Sequence, residues 1–295
     1  MKKFRDILPG FIIAAIAACQ YIYYQEMVEL FGGNIMAMLS IRLIIASLPY
    51  LLFAKRIQFI KFAKSTLALC LVQPGINLIT QTYAARISDV SLIAYVTALG
   101  PIITHIIARI MIKEKASKKF LAFLALSIAG SIVAVYNGES SGKASFAAVC
   151  LTLASLVCRG IYSSLAREEA KRAKPYEVAA FQCFFGAVAY SCAALFTGQF
   201  RALPEIAASL GLKGILWLLY LSLISISSSY ILNNILLNQV SASMGGVMAN
   251  ATFLFTLAVA VFVRGERVGW HTYVGSIALI IGIFGASLSK EGSSA

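Results

Sequence analysis

A chain of 295 residues that is 60% hydrophobic and only 13% charged, with mean hydropathy +0.83, excludes an ordinary water-soluble domain, since such domains carry about 25% charged residues. A formal net charge of +13 would point to nucleic acid in a soluble protein. Here the distribution of that charge along the chain argues for a membrane instead.

The hydrocarbon core of a bilayer, about 30 Å thick, takes roughly 20 apolar residues of helix. Stretches of that kind run at 8–25, 33–54, 65–84, 90–112, 120–136, 144–166, 176–197, 213–236, 242–263 and 269–288. Lipid offers no partner to a loose peptide group, so each stretch is expected to close its own backbone bonds as a helix. The expected fold class is therefore all-α integral membrane, with ten transmembrane helices. The first stretch follows Met1-Lys2-Lys3 and holds Ala17-Ala18-Cys19, the outline of an acylated lipoprotein signal. Its continuation to Tyr24 and its place in the repeat below make it an uncleaved first helix.

Basic residues fall in alternate loops. Sixteen lie on one side: Lys2, Lys3, Arg5, Lys55, Arg56, Lys61, Lys64, Lys113, Lys115, Lys118, Lys119, Arg167, Lys171, Arg172, Lys174 and Lys290. Six lie on the other: Arg86, Lys143, Arg201, Lys213, Arg264 and Arg267. By the positive-inside rule both termini face the cytoplasm, in a bacterial-type inner membrane. The six cysteines (19, 70, 150, 158, 183, 192) all fall inside apolar stretches and show no metal-ligand spacing. They read as small buried hydrophobes. No metal, cofactor or nucleic-acid partner is expected; the partners are the lipid bilayer and a small-molecule substrate.

The second half echoes the first. At an offset of 152, Glu114-Lys115 meets Glu266-Arg267, Gly130 meets Gly282, Ser91 meets Ser243, and Thr104 meets Thr256. Near the two starts the offset is 139, where Cys19-Gln20-Tyr21-Ile22-Tyr23 meets Cys158-Arg159-Gly160-Ile161-Tyr162. The difference is largely absorbed by the longer 198–212 connection. Five helices per half is odd, so the halves, 1–139 and 140–295, insert in opposite orientations. Inverted repeats supply two equivalent gates around a central site, a recurrent device of transporters.

These features carry a resemblance. Arg42 in Ile41-Arg42-Leu43, and the run from Tyr83-Ala84-Ala85 through Ser91 and Leu99-Gly100-Pro101 to Lys113-Glu114-Lys115 and Gly130, recur as Leu237-Asn238, Ser243, Gly265-Glu266-Arg267 and Gly282. Along essentially its whole length the chain resembles the EamA-type branch of the drug/metabolite transporter superfamily. The resemblance implies ten helices, cytoplasmic termini and a central cavity, in a family that moves amino acids and other small metabolites. Phe253 stands where many members carry a second proline, so a mirrored break in the ninth stretch does not follow from the resemblance.

Charge inside a bilayer is costly, from about 3 kcal/mol upward, which makes Arg42 and Arg159 candidates for function. A guanidinium facing a wet cavity pairs with a substrate carboxylate. The competing roles are carbonyl-bonded packing for Arg42 and reach to the headgroups for Arg159. Gln20 faces Arg159 in the repeat, and Gln182 faces Arg42 at offset 140. Asn77 and Gln81, four apart on one helix face, match Ser229 and Asn233 at offset 152. Asn250 adds a further amide, while Tyr23 and its counterpart Tyr162 would supply walls. Every acid falls in a loop or at a helix end, so the buried carboxylate common in proton-driven carriers is not expected, and facilitated movement or exchange is. His105 offers another route to a proton. Gly130-x-x-x-Ala134 and Ala278-x-x-x-Gly282-x-x-x-Ala286 read as packing within the bundle, in a monomer or weak homodimer.

The expected activity is thus movement of a small polar metabolite, an amino acid or related zwitterion, by alternating access. The rival cargo is nucleoside-like or a sulfonium such as S-adenosylmethionine. The rival class is a non-transporting scaffold or sensor. An enzyme is disfavoured, since no nucleophile and base, close acid pair or metal cluster is present in the sequence.

Overall fold

Apolar residues without strand alternation fold as helices, and every regular element among the described residues is helical. The computed structural model describes residues 2–52, 64–87, 96–135, 146–262 and 269–289. The first half holds α1 (Lys2–Leu30), α2 (Ile35–Leu51) and α3 (Lys64–Cys70), which passes through a kinked segment (Leu71–Ile76), non-helical at Gln73, into α4 (Asn77–Ile87). It continues with α5 (Gly100–Met111) and α6 (Lys118–Val135). The second half opens with α7 (Phe146–Glu169), α8 (Pro175–Phe196) and the short α9 (Leu203–Ser209). Next, α10 (Gly211–Leu219) passes through a π-helical segment (Tyr220–Ser228) into α11 (Ser229–Gln239). The chain closes with α12 (Ala242–Ala249), α13 (Ala251–Phe262) and α14 (Trp270–Leu288).

Among the described residues, five helical runs are long and apolar enough to cross a membrane: Phe146–Glu169, Pro175–Phe196, Gly211–Gln239, Ala242–Val259 and Trp270–Leu288. They overlie the five stretches expected in the second half. Helices α1 to α6 overlie the stretches expected in the first, with Ile35–Leu51 and Gly100–Met111 the shorter apolar pieces.

Packing follows the two-repeat plan. Helix α2 packs on α8 and α6 on α14, each joining equivalent elements of the two halves, and α5 packs on α12. The contact of α4 with α7 is answered by that of α11 with α1, and α5 on α7 is answered by α13 on α1. Exchanging the halves therefore turns each of these four contacts into its counterpart. At the α6–α14 crossing, a β-carbon on Gly130 would lie 2.5 Å from the Leu279 nitrogen, and one on Gly282 2.6 Å from the Ser127 nitrogen. Only glycine permits backbones this close, so the small-residue spacing is spent inside the bundle.

Helix interruptions also repeat. The kinked segment and the π segment end at Ile76 and Ser228, positions separated by the repeat offset of 152. A kink or a π turn takes carbonyls out of the regular i→i−4 ladder. A second pair of breaks sits at Ala98-Leu99, ahead of α5, and at Asn250, between α12 and α13. The amide of Leu99 bonds to the Val96 carbonyl at 3.1 Å, and that of Asn250 to Val247 at 3.1 Å, both tight i→i−3 turns. The mirrored break in the ninth stretch is thus present without a proline at 253.

Candidate functional site

The centre of the bundle is a chain of neutral hydrogen bonds built from four helical segments. On α7, Ser155 donates to Asn77 Oδ1 at 2.8 Å. The Asn77 amide donates in turn to Gln73 Oε1 on the kinked segment before it. Gln73 Nε2 reaches the Tyr230 hydroxyl at 3.3 Å, and Gln182 Nε2 on α8 donates to the Gln73 carbonyl at 3.1 Å. Asn234 on α11 donates to Gln182 Oε1 at 3.0 Å and accepts from Tyr162 at 3.3 Å. Asn233 Nδ2 closes the set on the Tyr162 hydroxyl at 3.2 Å. Amides and hydroxyls cost several kcal/mol each if left bare away from water, and these satisfy one another.

Beside this network lies a small cavity between α5, α7 and α12. It is lined by Thr97, Gly100, Pro101, Thr104, Arg159, Gly246, Ala249 and Asn250. Ser155, Arg159 and Tyr162 recur at helical spacing on α7, so one face of that helix serves both the network and the cavity. Asn250 is fixed at the break, where its side-chain amide donates to Ser131 at 3.3 Å. The arrangement places one arginine with hydroxyl and amide residues at a cavity with room for about one water.

The residues singled out from sequence separate into groups. Asn77, Tyr162 and Asn233 meet in the network, and Arg159 and Asn250 meet at the cavity. Arg42 is fully buried at α2 and donates from Nη2 to the Leu221 carbonyl at 3.1 Å, in the π segment. Gln81 is exposed on α4, and Ser229 is half-buried at the first turn of α11. The side chains of Gln20 and Tyr23 lie outside the described residues. His105 sits with its Nδ1 2.9 Å from the Ser243 hydroxyl, bridging α5 and α12.

Gln73, Ser155, Tyr230 and Asn234 escaped the sequence reading. Ser155 lies one turn before Arg159 and Gln73 one turn before Asn77, spacings that would have found both. One acid is also buried, contrary to expectation. Glu169, at the end of α7, is 3% exposed, with its two oxygens taken by the hydroxyls of Ser65 and Thr66 at the start of α3. Its position at a helix end was correct, but packing of α3 over that end covers it.

The profile of the EamA-like transporter family matches residues 6–136 and again residues 146–288, once in each half. The chain belongs to this family. It is similar to two Bacillus subtilis (strain 168) proteins, each named an uncharacterized transporter. YcxC is 24% identical over 228 residues, spanning 76% of this chain and 73% of its own. YyaM is 24% identical over 202 residues, spanning 66% of this chain and 63% of its own length. A solved crystal structure shares the fold at a TM-score of 0.72 over 96% of both chains, with 14% identity. As an EamA-family member, the protein is a transporter of the drug/metabolite superfamily and not an enzyme.

Proposed function

We propose that the protein carries a small polar metabolite, an amino acid or related zwitterion, across the cytoplasmic membrane by alternating access. In this reading ten spans form two inverted units, 1–139 and 140–295, with both termini cytoplasmic. The carrying observation is the juxtaposition of Arg159 and Asn250 at one small cavity, beside a network of uncharged amides and hydroxyls. Arg159 would take the carboxylate, and Asn77, Asn233 and Asn250 would bond the remaining polar atoms. Gln20 and Tyr23 belong to the proposed site as the repeat counterparts of Arg159 and Tyr162. The small-residue seam between α6 and α14 is used within one chain, which supports a monomer. A guanidinium at the cavity disfavours a cationic cargo such as a sulfonium.

Counterflow into liposomes loaded with an amino-acid mixture, compared with a nucleoside mixture, tests the substrate class. Amino acids are expected to drive uptake. Nucleoside-driven uptake would replace the assignment, and no flux with either would remove it. The Asn77→Ala, Asn233→Ala double variant is expected to abolish counterflow while the protein stays folded; unchanged flux would take both residues out of the site.

A further inference from the structure

Two tyrosines hold the kinked segment and the π segment, and each acts across the boundary between halves. On α2, the Tyr50 hydroxyl donates to the Ser227 carbonyl at 2.9 Å. On α8, the Tyr190 hydroxyl lies 2.5 Å from the Gly75 carbonyl and 3.1 Å from that of Pro74. Tyr50 and Tyr190 differ by 140, the offset that also relates Arg42 to Gln182, while Gly75 and Ser227 differ by 152. Donor and acceptor thus both map onto their counterparts when the halves are exchanged. Eight residues earlier on the same helices, Arg42 donates to the Leu221 carbonyl and Gln182 to the Gln73 carbonyl, both at 3.1 Å. Each of these paired helices therefore sends two donors to the interrupted helix of the other half.

The chemistry explains why the donors are needed. A kink, as at Gln73, or a π turn, as at Tyr220–Ser228, frees carbonyls from the helical ladder, and away from water each must find another donor. A tyrosine hydroxyl supplies one from a rigid side chain. The segment so held is followed directly by Asn77 in one half and by Ser229 through Asn234 in the other, so its bend sets where those polar groups stand. We infer that Tyr50 and Tyr190 are matched latches, positioning residues that set the two helix breaks and thereby the balance between the two orientations of the carrier. The inference rests on the inverted-repeat reading above. Exchanging inverted halves also exchanges the two sides of the membrane, so loss of one latch must act opposite to loss of the other.

The test uses a cysteine-free background with a single reporter, Thr97→Cys at the cavity, reconstituted with known orientation. A membrane-impermeant maleimide is applied to one side at a time. Tyr50→Phe and Tyr190→Phe are expected to change the ratio of labelling rates from the two sides by threefold or more, in opposite directions. The double variant is expected to return near the parent ratio. Changes in the same direction, or none, would overturn the latches. So would loss of folded protein in either single variant, because a contact that tunes an equilibrium is dispensable to the fold. A parent protein labelled from one side only would overturn the alternating-access reading itself, a result separate from any effect of the tyrosines.

Discussion

The middle of the molecule and its ends obey different rules. At the middle, the interruptions at Leu71–Ile76 and Tyr220–Ser228 end at equivalent positions, one a kink at Gln73 and the other a π-helical segment, and both take donors from the opposite half. The described residues at the ends make contacts of other kinds. At the lysine-rich end, Glu114 accepts from the amides of Ala242 at 3.0 Å and Ser243 at 3.1 Å, capping α12. Arg167 donates there to the carbonyls of Leu237 at 2.8 Å and Asn238 at 3.0 Å, and buried Glu169 ties α7 to α3. At the other end, Lys213 and Glu26 make a solvated pair at 3.5 Å, and Gln199 accepts from the amides of Met36 and Ala37. Symmetry is kept where both halves must do the same work. The described contacts at the two ends differ in kind, charged side chains bonded to backbone groups at one and a solvated ion pair with a neutral amide at the other.

Substitutions that separate the two rules should differ widely in effect. The largest is expected on the symmetric seam, where Gly282→Leu would drive a side chain into the Ser127 backbone. Overpacking costs about 1–3 kcal/mol where neighbours can shift, and backbone cannot, so folded protein should be lost when measured by thermal melting in detergent. Retention of the parent melting temperature would show that α6 and α14 are not pressed together. A smaller effect is expected at the lysine-rich end. Glu114→Gln leaves one acceptor oxygen for two amides, a loss of about 1–3 kcal/mol. Labelling of Ala242→Cys from that side should rise roughly thirtyfold at the middle of that range, with the melting temperature little changed. No rise would mean that the carboxylate does not hold that end shut. The smallest is expected at the solvated pair, where Lys213→Ala should cost under about 1 kcal/mol and leave labelling at either end unaltered. A large change there would make the two ends equivalent after all.

Much of the symmetric part was legible in the chain, and little of the asymmetric part. Glu114-Lys115 against Glu266-Arg267 and Gly130 against Gly282 gave the repeat offset, and apolar length gave the helices. The π segment carries no proline or other local mark, since it is stabilised by Arg42 and Tyr50 from another helix. For the same reason, Arg42 read equally well as a cavity or a packing residue until the Leu221 carbonyl was seen beneath it. Asn77 and Gln81 share a face by spacing, yet one is buried and the other exposed. Periodicity fixes direction around a helix, not depth along it. The burial of Glu169 depends on α3 folding over the end of α7, a tertiary event that no run of residues announces.

The most direct measurement of the central claim is the accessibility of the cavity itself. Single cysteines at positions 77 and 233, in sealed vesicles of known orientation, would be exposed to an impermeant maleimide from each side in turn. The account predicts that both positions label from both compartments and that a transported solute slows the reaction. Labelling from one compartment alone, or from neither, would contradict it.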